Sequence, residues 1–268
     1  MKESIEIVDY GVCRLALVAV RNSPHADAKQ ETQLLFGDHY EVHKKSDDGE
    51  WVSIKIQFDG SEGWIEDEQH HSISKEYFDQ INHANFKITT DLTCNILFKK
   101  SPITILLGSI VPISNSELFK MEEQFAFNGE AKSIGQKRDV EFINSTAMKY
   151  LNAPHLRGGK SPFGIDAAGL VQMVFKIAGY IIPHKISSQA KEGKEVNSLM
   201  DAKSGDLAFF SRKDDSISHV GIILSDEKII HAFGHVRIDH LMEDGIIRSD
   251  TKKHTHYLKE IRRIVYPV

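Results

Sequence analysis

The stretch GIDAAGLVQMVF, residues 164–175, joins a glycine turn to an amphipathic run. Apolar side chains recur at helical spacing after Asp166, and aspartate is a favoured residue just before a helix. The first position of such a helix faces the positive end of the helix dipole, where a thiolate would be stabilised. The residue at that position is Ala167. The stretch therefore predicts the start of a catalytic helix from which the nucleophile is missing.

Length and composition are those of an ordinary globular chain. Its 268 residues, with 41% hydrophobic and 26% charged residues, are enough for two or three small domains. The formal net charge of −5 gives no indication of nucleic acid as a partner. We find no secretory signal pattern at the start and no apolar run near the roughly 20 residues that span a bilayer. We therefore expect a cytoplasmic location and no membrane partner, and the sequence leaves the oligomeric state open.

The two cysteines, Cys13 and Cys94, lie in segments with a strand-like pattern. We expect both to be buried small hydrophobic residues rather than a disulfide or a pair of metal ligands. No motif in the chain indicates a cofactor.

The first half of the chain has the pattern of small β-barrels. Short β-like runs separated by Gly-Asp, Asp-Gly and Glu-Gly turns predict one barrel over residues 1–75. The pattern repeats less clearly afterwards and predicts a second, degenerate barrel over residues 76–134. Trp51 and Trp64 are expected in the core of the first barrel.

From residue 135 to residue 268 the pattern changes to that of an α+β domain. VEFINSTAMKYLN, residues 140–152, predicts a helix, and the helix after Asp166 follows it. Strands are then predicted at GDLAFF, HVGIIL, KIIHAF and IRRIVYPV. Helices followed by a set of antiparallel strands give an α+β layout.

The motifs of this domain resemble those of the NlpC/P60 family of bacterial cell-wall cysteine peptidases. The glycines, Asp166 and the histidines of HVGIIL and IIHAF match the family in order and spacing. The stretches TQLLFGD and GSEGWIE resemble the bacterial SH3-like domains that precede the catalytic domain in one subgroup. The resemblance implies a papain-like catalytic domain behind two SH3-like barrels.

The resemblance also implies a reaction. Family members hydrolyse peptidoglycan peptides between γ-D-glutamate and a diamino acid, with a cysteine thiolate as the nucleophile. By position, Ala167 takes the place of the nucleophile, His219 that of the general base, and His231 that of the residue that orients the base. Asp166 and Ala168 take positions that help to hold the free amine of the substrate. A chain with alanine at the nucleophile position is expected to be catalytically inactive.

Other substrate-binding positions depart from the family pattern. His155 and Arg157 replace the two aromatic residues of a Tyr-x-Trp-Gly-Gly stretch, and Ser61 replaces an aromatic residue of the barrel. Several departures around one cleft favour natural divergence as the origin of Ala167. The alternative is an engineered Cys→Ala change in an active enzyme. The expected partner is a peptidoglycan-derived peptide with a free N-terminal amine.

Two functions of other classes stay open. The barrels and an inactive cleft are compatible with a non-enzymatic binding or scaffold protein. A histidine-rich metal site is less favoured, because no carboxylate or thiol completes a recognisable ligand spacing. The histidines of that alternative are His155, His184, His219, His231 and His235.

Overall fold

The computed structural model describes residues 6–83, 86–112, 125–212, 216–225 and 227–266. The chain divides into two compact units, Met1–Gln136 and Lys137–Val268. Both contain helices and strands. Every helix within these described ranges is too short or too polar to span a membrane.

The N-terminal unit begins with a seven-stranded antiparallel sheet in the order β3-β2-β6-β5-β4-β1-β7. Its strands are β1 (Asp9–Val12), β2 (Leu17–Arg21), β3 (Gln30–Leu35), β4 (His39–Lys45), β5 (Trp51–Ile56), β6 (Glu62–Glu66) and β7 (Ser72–Ile73). Trp51 is buried, as predicted. Trp64 is only partly buried, and the Nζ of Lys44 lies 5.2 Å from its ring centroid. The prediction of a core position is therefore wrong for Trp64.

Residues after β7 pack into the same unit. The helix α1 (Lys75–His83) is followed by two three-stranded sheets, in the orders β10-β9-β12 and β11-β8-β13. Their strands are β8 (Lys87–Thr89), β9 (Thr93–Phe98), β10 (Ser101–Leu106), β11 (Ile110–Val111), β12 (Phe125–Asn128) and β13 (Ala131–Ser133). Val12 and Ile110 share one hydrophobic cluster, and Phe36 shares another with Ile96. The two predicted barrels thus lie within one unit and share hydrophobic clusters.

Both cysteines belong to this N-terminal unit. They are buried and free, as predicted. Burial raises the pKa of the Cys13 thiol to about 12 and that of Cys94 to about 11. Neither thiol is therefore ionised to a useful extent at neutral pH.

The C-terminal unit combines short helices with a second seven-stranded antiparallel sheet. Its first elements are α2 (Val140–Met148), β14 (Lys160–Ser161), β15 (Gly164–Ile165), α3 (Ala167–Ile177) and α4 (Ile186–Gln189). The sheet consists of β16 (Lys194–Val196), β17 (Leu207–Ser211), β18 (His219–Ile223), β19 (Lys228–Phe233), β20 (His235–Met242), β21 (Gly245–Ile247) and β22 (His254–Arg263). Its order is β16-β22-β17-β18-β19-β20-β21, and β21 also pairs with β22, which closes a ring of six strands.

Two strand predictions for this unit need correction. The last strand was expected at residues 261–268, but β22 starts at His254 and ends at Arg263; residues 267–268 lie outside the described residues. β20 and β21 were not predicted at all. In β20 the buried positions include Arg237 and Asp239, so the strand does not show the usual apolar alternation.

The helix α3 begins at Ala167, as predicted, and all its residues are buried. It packs against β18 and β19. Its first turn lies against a glycine loop, because a Cβ on Gly169 would come within 2.2 Å of the carbonyl oxygen of Gly159. The packing of α3 on β18 and β19 brings it beside the strands that carry His219 and His231.

Candidate active site

Asp166 is the N-cap of α3, and both of its carboxylate oxygens accept backbone hydrogen bonds. The N–H of Gly169 donates to Oδ1 and the N–H of Gly158 donates to Oδ2, each at 2.7 Å. The first bond caps the helix, and the second ties the HLRGG loop to the helix start. The predicted cap is confirmed. Because the two amides and the helix dipole stabilise this carboxylate, it does not depend on a cation from a ligand.

A cleft of about 500 Å³ opens at the N-terminus of α3. It is lined by His155, Arg157, Asp166, Ala167, Ala168, Ile186, Arg212, Ser218, His219, Ala232, Phe233 and His256. The structure therefore brings together all the predicted site residues of the C-terminal unit except His231, which lies behind His219. Ser61 lies in the turn before β6 of the N-terminal unit, so its role in the site stays a prediction.

His219 and His231 form the first step of a buried hydrogen-bonded relay. The Nε2 of His219 lies 2.8 Å from the Nδ1 of His231, and the Nε2 of His231 lies 3.1 Å from Oδ2 of Asp239. A carboxylate only accepts hydrogen bonds, so the Nε2 of His231 carries the proton. The Nδ1 of neutral His231 then accepts from the Nε2–H of His219. This assignment leaves the lone pair of His219 on Nδ1.

Asp239 is held as a buried carboxylate. Arg237 donates to it from Nε at 2.7 Å and from Nη2 at 2.9 Å, and the N–H of Ser249 donates to Oδ1 at 2.9 Å. Burial opposes ionisation, but the hydrogen bonds from His231, Arg237 and Ser249 outweigh it and hold the pKa of Asp239 well below its usual range. Asp239 therefore stays charged and fixes the orientation of His231.

A third histidine, His256, stacks on His219. The two ring centroids are 4.1 Å apart and the planes are inclined by 21°. The Nδ1 of His256 lies 2.9 Å from Thr255 Oγ1, and Arg212 donates from Nε to the Nε2 of His256 at 3.4 Å. Burial, followed by the charges of His231 and Arg212, lowers the pKa of His256 to about 3. Burial and the two neighbouring histidines also place the pKa of His219 well below its ordinary value, so both rings are neutral at pH 7.

Comparison with known proteins agrees with this geometry. Residues 152–255 match the model of the NlpC/P60 family, and residues 20–69 match that of the bacterial dipeptidyl-peptidase SH3 domain. The C-terminal unit contains an NlpC/P60 domain. The matched range includes the start of α3 and the strands that carry His219, His231 and Asp239.

The chain is homologous to γ-D-glutamyl-L-lysine dipeptidyl-peptidases. It is 29% identical over 221 residues to the protein of that name from Bacillus subtilis, a match that covers 75% of this chain and 72% of that protein. The protein of that name from Bacillus cereus is 25% identical over 230 residues, covering 76% of this chain and 67% of its own length. A solved NlpC/P60 family protein from Bacillus cereus has the same fold, with a TM-score of 0.77, 19% identity, and coverage of 96% of this chain and 99% of that one.

In this NlpC/P60 domain, Ala167 occupies the place that the resemblance assigns to the nucleophile. The residue is 6% exposed and lines a cleft that it shares with His219. A methyl group has neither a lone pair nor a proton to lose, so the base has no thiol to activate. Ser218, which is exposed in the cleft, is the one hydroxyl side chain among the lining residues that the structure describes. The site thus keeps an oriented base beside a residue without nucleophilic chemistry.

The histidine cluster of the metal alternative is only partly assembled. Within the part of the chain that the structure describes, no three histidine, cysteine or acidic side chains are arranged to hold a metal ion. The Nδ1 of His184 lies 3.3 Å from Oε1 of Gln172, and His235 starts β20 beside Pro154. The facing nitrogens of His219 and His231 are used by their mutual hydrogen bond.

Four residues of the NlpC/P60 site were not predicted from the sequence: Arg212, Arg237, Asp239 and His256. A charged pair at alternate positions of a strand, as in HVRIDH, is the signal that points to a buried ion pair. His256 gives no comparable signal, because its segment, HTHYLKE, has no clear strand pattern.

Proposed function

We propose that this chain binds a peptidoglycan-derived peptide in the cleft beside Ala167 and does not hydrolyse it through an acyl-enzyme. The observation that carries the proposal is the hydrogen-bonded relay of His219, His231 and Asp239, whose His219 lines the same cleft as the methyl group of Ala167. The homologous proteins named γ-D-glutamyl-L-lysine dipeptidyl-peptidases support the choice of ligand. The proposal includes a papain-like domain over residues 135–268 behind two SH3-like barrels over residues 1–75 and 76–134.

Peptide binding and bond cleavage use different groups of such a site. Cleavage through an acyl-enzyme needs a thiolate at position 167, which alanine does not supply. Binding depends on cleft walls, hydrogen-bond donors and acceptors, and these act without a nucleophile. An inactive homologue that keeps its ligand is therefore chemically consistent with the retained relay.

Asp166 is the acceptor that we assign to the free amine of the ligand. Each of its oxygens accepts one backbone N–H, which leaves further lone pairs toward the cleft. An ammonium group brings donors and a positive charge to this carboxylate. Acetylation of the amine removes the charge and adds bulk at the same point.

Calorimetric titration with L-Ala-γ-D-Glu-L-Lys and with its N-acetylated form tests the proposal. We expect a dissociation constant in the micromolar to millimolar range for the free amine, which corresponds to about 4 to 8 kcal/mol. The acetylated peptide should not bind. Equal affinities for the two peptides, or no binding of either, would leave Asp166 as a helix cap and contradict the proposed ligand.

We also propose that Ala167 arose by natural divergence. His155 and Arg157 line the same cleft as Ala167, so the departures from the family pattern lie around one site. An engineered change would alter the nucleophile alone. Sequencing codon 167 of the source gene tests this point: an alanine codon is expected, and a cysteine codon would contradict it.

A further inference from the structure

Arg212 is a cleft residue to which the proposed function assigns no role. It follows β17 directly, and it lines the cleft together with Ala167, Ser218 and Phe233. Its Cζ lies 4.8 Å from the ring centroid of Phe233, and its Nε donates to the Nε2 of His256 at 3.4 Å. An aromatic face and a hydrogen bond therefore fix the orientation of the guanidinium plane.

The donors at the end of the Arg212 side chain remain available to a ligand. A guanidinium has five N–H donors, and the bond to His256 uses the one on Nε. In the described ranges, the structure gives Arg212 no carboxylate partner and no hydrogen bond from its two terminal amino groups. The side chain is exposed in the cleft. A positioned guanidinium with two unused amino groups matches the geometry of a carboxylate.

Within the described part of the chain, no carboxylate pairs with Arg212. His256 accepts from Arg212, so its Nε2 has no proton and its ring is neutral. Asp166, the acidic residue among the described lining residues, already accepts two backbone amides. The cleft therefore favours a ligand that carries negative charge.

We propose that Arg212 is the carboxylate-binding residue of this cleft. Its two terminal amino groups form a bidentate pair with a carboxylate of the ligand, while Phe233 and His256 hold the guanidinium in place. The inference rests on the proposed function and adds to it the class of ligand, an acidic peptide whose carboxylate lies on the β17 side of the cleft and whose amine lies at Asp166.

The first test uses a simple dicarboxylate instead of a peptide, so that it does not depend on the proposed function. Glutarate is titrated into the full chain while the ¹⁵Nε–¹H signal of Arg212 is followed by NMR. We expect a saturable shift of this signal, together with shifts of the backbone amides around the cleft that are lost in Arg212→Gln. No shift of the signal with glutarate would overturn the inference. A shift with inorganic phosphate that saturates at lower concentration than with glutarate would overturn the assignment to carboxylate.

The second test identifies the carboxylate. Affinities for L-Ala-γ-D-Glu-L-Lys are compared with those for two amides, one at the α-carboxyl of glutamate and one at the carboxyl of lysine. Arg212→Gln should weaken binding of the acid about tenfold or more, because it removes hydrogen bonds to a charged group. The same substitution should have little effect on one of the amides. Arg212→Lys should recover part of the affinity, since lysine keeps the positive charge but lacks the paired donors of the guanidinium.

Arg157→Gln is the matched control, because it removes the same charge from the same cleft. It should weaken binding of the acid and of both amides by similar factors. An equal loss for the acid and both amides in Arg212→Gln would overturn the inference. If no peptide binds but glutarate shifts the Arg212 signal, the proposed peptide ligand fails and the carboxylate site stands.

Discussion

The Nε2 of His219 and the Nδ1 of His231 lie 2.8 Å apart, and this hydrogen bond determines which nitrogen of His219 is basic. With the Nε2–H of His231 directed to Asp239, the proton order along the relay is fixed, and the lone pair of His219 lies on Nδ1. The relay thus leaves His219 able to accept a proton on Nδ1 from another group in the cleft. The residue at the start of α3, where a nucleophile would be activated, is Ala167.

Ala167→Cys should create a reactive thiol. The N-terminus of α3 and the neighbouring His219 both favour a thiolate, so the pKa of the new thiol should fall below the roughly 8.5 of a free cysteine. The rate of alkylation by iodoacetamide as a function of pH measures it. Adding His219→Gln should move the pKa back toward the free value. A thiol in Ala167→Cys that titrates like free cysteine would show that the base is not directed at position 167.

Stability should fall with acid partly because of His256. Its folded pKa of about 3 lies below the ordinary value of 6.5, so the unfolded chain binds more protons below pH 6.5. The contribution of neutral His256 is complete above pH 6.5 and is lost as the pH falls from 6.5 toward 3, at about 1.4 kcal/mol per pH unit. Urea unfolding of the chain and of His256→Gln, compared between pH 7 and pH 5, measures the difference in slope.

His25→Gln is the control for that series, because His25 is exposed in the loop after β2. It should leave the pH dependence of the free energy of unfolding unchanged. Parallel pH dependences for the unsubstituted chain and His256→Gln would mean that His256 is not held neutral by its buried surroundings.

Asp239→Asn should destabilise the C-terminal unit by about 3 to 5 kcal/mol, because it leaves the buried guanidinium of Arg237 without its fully buried counter-ion. Asp250→Asn removes the other carboxylate near Arg237, at 3.1 Å and half-exposed, and should cost less than about 1 kcal/mol. Urea unfolding followed by circular dichroism compares the two. Similar losses in the two variants would contradict the assignment of Asp239 as the residue that anchors the relay.

Asp166→Asn should separate the two roles of that side chain. Asparagine is as good an N-cap as aspartate but offers one acceptor oxygen, so one of the two backbone amides loses its acceptor, and a cost of about 1 to 3 kcal/mol in the free energy of unfolding is expected. Binding of the free-amine peptide should be lost together with the charge. Asp139→Ala is the matched control, since Asp139 caps α2 by accepting from the N–H of Phe142 and alanine removes that acceptor at a cost of about 0.5 to 2 kcal/mol. It should cost a similar stability and leave peptide binding intact; loss of binding in both variants would assign the effect to stability alone.

Local sequence patterns were sufficient for the start of α3 and for the strands that carry His219 and His231. A cap, an apolar face and two short β-branched runs are properties of a few consecutive residues. Asp239 could not be found in this way. Its place beside His231 depends on the antiparallel register of β19 and β20, in which Ile229 pairs with Asp239 and His231 with Arg237.

The position of His256 depends on pairings between strands that are far apart in the sequence. It lies on β22, which pairs with β17 and β21 and closes the ring of strands. The stack on His219 therefore results from pairings between segments far apart in the chain. The same holds for Arg212, whose orientation is set by Phe233 of β19 and His256 of β22. In the N-terminal unit, the hydrophobic cluster that joins β1 to β11 likewise could not be predicted from the pattern of either segment alone.

The absence of acyl-enzyme hydrolysis is tested most directly by mass spectrometry of L-Ala-γ-D-Glu-L-Lys and its diaminopimelate analogue after long incubation with a high concentration of the protein. We expect the intact peptides only, in the unsubstituted chain and in Ser218→Ala alike, because Ala167 offers no nucleophile. Release of L-Ala-γ-D-Glu that is abolished by His219→Gln would contradict the account, since it would require another nucleophile beside that base.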